Sequence, residues 1–74
     1  MGSRKIVIRL RVKEIAESQG VNMSKLSRKS DVQYNTIRQI WDKPERDILL
    51  STLEKIAVAL DVPISDLYEV IPDQ

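Results

Sequence analysis

A small all-α bundle of five short helices, with a short strand at each end that can pair with the other, is the fold class this sequence predicts. Three observations lead to it. Seventy-four residues have room for one modest core. Apolar residues make up 42% of the chain while Trp41, Tyr34 and Tyr68 are the only aromatics, so Leu, Ile, Val and Ala must fill that core. Most of these aliphatics recur at helical spacing, and only the two ends carry strand-like runs.

"KIVIRLRV" (5–12) alternates, with Ile6, Ile8, Leu10 and Val12 on one side and Val7, Arg9, Arg11 and Lys13 on the other. Val12, Ile15, Ala16 and Gln19 also fit a helix that Gly20 is placed to end. A strand is therefore expected at about 4–8 and helix 1 at about 9–19. A lone strand leaves its backbone unpaired, and "LYEVI" (67–71) is the available partner. Asn22 is an N-cap for helix 2, at about 23–30, with Leu26 inward. "SDVQ" (30–33) breaks that helix, and helix 3 follows from Tyr34 to about Asp42, capped by Gln33 or by nothing strong. "DKPERD" (42–47) is a polar loop broken by Pro44. Asp47 is a candidate N-cap for helix 4, whose stripe is Leu50, Leu53, Ile56, Ala57 and Leu60. Asp61 ends it, and Pro63 opens a last short helix around "ISDLY". Gly2 and Ser3 read equally well as a cloning remnant. The chain is expected to be a single domain, with no repeat or low-complexity segment.

Chemistry is limited by what is missing. With no Cys and no His, the sequence lacks thiol nucleophiles, disulfides, the usual zinc ligands and the usual general base near neutral pH. No Asp/Glu cluster has calcium-loop spacing. An enzyme is not expected, nor a metal, cofactor or small-molecule ligand. No run approaches a membrane span and no signal peptide is visible, so the expected setting is the cytoplasm. The net charge of +1 conceals a split. Residues 1–46 hold eleven Lys/Arg against five Asp/Glu, and residues 47–74 hold one Lys against six Asp/Glu. A basic half suggests a polyanionic partner, though solubilising charges can also segregate by chance.

Helices 2 and 3, joined by about three residues, make a helix-turn-helix over about 23–42. Here the residues resemble a family. "MSKLS", the turn "SDV", "YNTIRQI" and "LLSTLEKIAVALDVPISDLYEV" fall in the register of lambda-repressor/Cro-like (Xre) helix-turn-helix domains. Leu26, Val32, Ile37, Ile40, Leu53, Ile56, Leu60, Val62 and Leu67 match that family's core pattern. The resemblance covers residues 12–70 and implies a five-helix lambda-repressor-like fold. It also implies a prokaryotic transcriptional regulator that binds double-stranded DNA. Three positions depart from the pattern. Asp31 stands where the turn usually has Gly, Ser27 where a small Ala is usual, and Met23 where a phosphate-gripping Gln is frequent. Met cannot donate, so that contact is expected to be lost.

In this register Ile37 and Ile40 face inward. Gln33, Tyr34, Asn35, Arg38 and Gln39 then project toward base edges. Arg can bind both acceptors of guanine, and Asn or Gln can pair bidentately with adenine. Tyr34 either meets a phosphate or thymine methyl or packs against helix 2. Trp41 reads as a core or boundary filler. Asn22, Ser24, Lys25, Thr36, Lys43 and Arg46 are the expected phosphate contacts, with Arg28 and Lys29 as further candidates. A homodimer through helix 5 and the terminal strands (Val7, Tyr68, Val70, Ile71) is expected, because one monomer reads only half a turn of DNA. The expected function is sequence-specific transcriptional regulation, by repression. The alternative is a protein-interaction or antitoxin-like module whose acidic half binds a basic partner.

Overall fold

A computed structural model describes residues 6–45 and 47–72 of the chain. In order, the elements are β1 (Ile6–Leu10), α1 (Val12–Ser18), α2 (Met23–Ser30), α3 (Tyr34–Asp42), α4 (Leu50–Leu60), a 3-10 turn (Ile64–Leu67) and β2 (Tyr68–Pro72). The terminal strands do pair. They run antiparallel, with Ile6 opposite Pro72, Ile8 opposite Val70 and Leu10 opposite Tyr68. Arg9 lies directly across from Glu69, and their side chains meet at 3.6 Å on an exposed face. Residues 1–3 and Arg46 lie outside the described residues.

Helix ends follow local chemistry where that chemistry is short-range. Asn22 Oδ1 accepts from the Lys25 N–H at 2.8 Å, which satisfies one of the free donors that open α2. Gly20, at φ 71°, closes α1. Its N–H bonds Glu17 O and the Val21 N–H bonds Ala16 O, the paired pattern of a Schellman end. Asp61, at φ 56°, closes α4 in the same way, through its own N–H to Val58 O and the Val62 N–H to Ala57 O. The Gln19 side-chain amide then donates to Leu60 O at 2.8 Å and ties those two helix ends together.

The core lies between the helices. Leu26, Val32, Ile37, Ile40, Leu53, Ile56, Leu60 and Leu67 are buried, joined by Leu10, Val12, Ala16, Val21 and Ala57. Val62, the remaining one of the nine positions in the expected pattern, is only partly buried against them. Each fully buried Leu or Ile contributes about 1.5–3 kcal/mol. Trp41 packs at the edge of this cluster, as a boundary filler would.

Four expectations need correction. The strand reaches Leu10 and helix 1 starts only at Val12. The reason is that the Leu10 N–H donates to Pro44 O (2.6 Å) and the Arg11 N–H to Leu67 O (2.7 Å), so both amides serve distant partners. Among the described residues there are four α-helices, not five; the segment after Pro63 makes a single 3-10 turn because β2 begins at Tyr68. Asp47 does not cap α4. The helix begins at Leu50 with the extended Leu49 (φ −67°, ψ 138°) as the cap and no side-chain cap bond, because Ile48 packs on the core between Asp47 and that cap. Leu50 is not in the core stripe either. It occupies the first turn, beyond the point where Leu53 closes the core, and is 70% exposed.

Candidate nucleic-acid interface

The site is built from α2, a three-residue turn and α3. The turn reverses at Asp31, which adopts the left-handed conformation (φ 59°, ψ 33°). Asp is among the few non-glycine residues that accept this region at modest cost, so the departure from Gly is accommodated. Ser27, at the position where Ala was expected, also has a task. Its hydroxyl donates to Val32 O at 2.6 Å and fixes the peptide that leads into α3. The buried Ser30 hydroxyl donates to Leu26 O at 2.6 Å. Val32 is buried, anchoring the turn to the core.

This anchoring sets the rotation of α3. Ile37 is fully buried and Ile40 nearly so, which turns the opposite side of the helix to solvent. Gln33, Tyr34, Asn35, Arg38 and Gln39 are all exposed there, with Tyr34 showing 45% of its surface. Gln33 precedes the helix but makes no side-chain cap bond, so its amide is free for another partner. Asn35, Arg38, Gln39 and Asp42 follow at spacings of three and four and share one stripe.

The residues proposed for phosphate contact surround this surface unevenly. Asn22, Ser24 and Lys25 are exposed at the start of α2, with the Asn22 oxygen engaged as a cap and its NH₂ group left to donate. Lys43 is exposed at the end of α3, where its N–H bonds Gln39 O, and Thr36 is half-buried. Arg28 and Lys29 are exposed in the last turn of α2. Met23 is partly buried against the core and offers no donor. Residues 22–43 hold five Lys/Arg against two Asp, so the segment is net cationic.

Two participants were missed from sequence. Asp42 Oδ2 lies 3.9 Å from Arg38 Nε, an exposed i,i+4 pair of the kind that contributes about 0–1 kcal/mol. Its spacing was the available signal. This carboxylate restrains the guanidinium and also sets a negative charge beside the cationic surface. Ser27 is the other, and nothing in the sequence points to its bond with Val32. Among the described residues no group of three or more His, Cys, Asp or Glu is placed to hold a metal. No helix there is long and apolar enough to cross a membrane.

A family model described as a Cro/C1-type helix-turn-helix DNA-binding domain matches residues 11–73. The chain belongs to that family. In the Cro/C1-type match, α2, the turn at Asp31 and α3 all lie within the matched residues. Among solved structures, the chain is similar to the transcriptional regulator VanUg, with 14% identity and a TM-score of 0.75. The likeness spans 99% of this chain and 96% of that one, and at so low an identity it establishes a shared fold. No curated protein matches the chain.

Proposed function

We propose that this Cro/C1-type domain is a sequence-specific transcriptional regulator, acting as a repressor, that reads the DNA major groove with α3. The observation that carries the reading is the two-sided character of that helix. Ile37 and Ile40 are buried on one side, while Gln33, Tyr34, Asn35, Arg38 and Gln39 stand exposed on the other. Arg38 serves as a guanine reader and Asn35 and Gln39 as adenine readers. Asn22, Ser24, Lys25, Thr36, Lys43 and Arg46 hold the phosphates. The protein's setting is the cytoplasm. The domain pairs into a homodimer through the terminal strands and the 3-10 turn that follows α4, a reading supported by exposed Ile8, Val70 and Ile71 on the ribbon.

The test is fluorescence anisotropy on duplexes selected from a randomised pool, at two salt concentrations, with Arg38→Ala beside the wild type. A recurrent motif is expected, and Arg38→Ala should relax preference at one base pair at a cost of about 1–3 kcal/mol. Binding that falls with salt but ignores Arg38→Ala would reduce the reading to non-specific attraction. Sedimentation of the free protein tests the dimer, which Val70→Ser should weaken.

A further inference from the structure

The outward side of α4 carries two large aliphatics, Leu50 and Val58, among the exposed Ser51, Glu54 and Lys55. Leu49, Leu50 and Val58 are 72%, 70% and 78% exposed. Leu50, Glu54 and Val58 follow one another at intervals of four, so they form a single stripe along about two turns of helix. Beside Val58 the stripe runs into an open groove of about 470 Å³ between α4 and the 3-10 turn. Ala57, Val62, Pro63 and Ile64 line it, together with the exposed carboxylates of Glu54 and Asp61. Exposed aliphatics joined to a concave apolar surface mark a binding site more often than a bare solvent face.

We infer that this stripe and groove are the docking site for a cationic amphipathic helix of a partner protein. The shape suits an apolar helix face laid in a groove, with anchors at helical spacing. The charge selects the partner. Residues 47–74 hold six acidic side chains and one Lys, so a helix bearing Lys and Arg beside its apolar anchors finds complementary charge at Glu54 and Asp61. A second copy of the chain does not fit as well. A two-fold pairing of α4 with itself brings Glu54 against Glu54, while the chain's own cations are concentrated in residues 1–46. Nucleic acid is repelled by the same carboxylates. No residue of the groove comes from α2 or α3, so the site is separate from the proposed DNA surface and does not depend on that reading.

The experiment is a titration of the ¹⁵N-labelled full chain with a synthetic leucine–lysine amphipathic peptide, and with its leucine–glutamate counterpart, followed by amide chemical shifts. Saturable shifts confined to Leu50, Glu54, Val58 and the Asp61–Ile64 segment are expected with the lysine peptide alone. The double substitution Leu50→Ser and Val58→Ser keeps every charge and touches only exposed side chains; it should weaken binding by roughly tenfold or more. Glu54→Lys should weaken it and raise affinity for the glutamate peptide. The inference fails if the lysine peptide does not bind, if its shifts map to α2 and α3 or to the strands, or if the serine variant binds as well as the wild type. It also fails if the face proves to be covered by a second copy, seen as self-association that Val58→Ser abolishes.

Discussion

α3 and α4 lie in one small protein and obey different rules of surface. In α3, every large aliphatic on the helix is buried and the outward side is amide, phenol and guanidinium. In α4, Leu53, Ile56, Ala57 and Leu60 are buried, yet Leu50 and Val58 face water. The contrast teaches that helical periodicity identifies an inner face reliably only when the other face is polar. Where further aliphatics stand among the polar residues of the outer side, as Leu50 and Val58 do, the pattern names too many core positions, and tertiary geometry decides among them.

The sharpest way to break this contrast is to truncate both kinds of aliphatic on α4. Ile56→Ala removes a fully buried side chain and should cost about 2–5 kcal/mol in urea denaturation. Val58→Ala, two residues on, should stay within about 0.5 kcal/mol. Equal losses would mean that the outward stripe of α4 contributes to the monomer's core after all.

The next comparison sets the two left-handed helix ends against each other. Asp31 ends α2 and Asp61 ends α4, at φ 59° and φ 56°. Alanine accepts this region poorly, so Asp31→Ala and Asp61→Ala should each destabilise by about 1–2 kcal/mol, whereas glycine at either position should cost little. At Asp31 the change acts on the turn into α3, so DNA discrimination should fall together with the thermal midpoint. At Asp61 stability should fall with DNA discrimination unchanged. A smaller loss, about 1 kcal/mol, is expected for Asn22→Ala, read by denaturation, because the Lys25 N–H loses its acceptor.

The smallest effect concerns α1. Arg11 donates to both Glu14 carboxylate oxygens, at 3.3 and 3.0 Å, and these hydrogen bonds with the adjacent positive charge hold the Glu14 carboxyl below its ordinary range. A carboxylate whose value is lowered by folding stabilises the fold above its unfolded value. That contribution is lost as the pH falls through the lowered folded value. An NMR titration of the Glu14 carboxyl should show the downward displacement, and Arg11→Gln should abolish it. The pair is exposed, so added salt should shrink it as well.

What could be read in the sequence was whatever depended on neighbours close along the chain. Asn22 as a cap, Asp61 as a helix end and the limits of α2 and α3 all rest on bonds spanning five residues or fewer. The outward set on α3 followed from placing Ile37 and Ile40 inward in the register of the family it resembles. Longer reach was invisible. β1 extends to Leu10 because of acceptors at Pro44 and Leu67. Asp47 had the right chemistry for a cap but lost to the packing of Ile48. Ser27's bond to Val32 looked from the sequence like simple tolerance of a small residue. Asp42 is the exception, because its i,i+4 spacing from Arg38 is local and legible in the sequence.

The antiparallel ribbon has a mechanical consequence. Ile6 sits opposite Pro72, so the chain before β1 and the chain after β2 leave from the same end of the ribbon. A force that separates them loads the Ile6–Pro72 pair first and opens the ladder rung by rung toward Leu10 and Tyr68, like a zipper, instead of shearing every rung together. The helical core starts to bear tension only when that ladder has parted. The paired strands are therefore a tether that yields early, and slack in it reaches the loop behind α3 through the bond from Leu10 to Pro44.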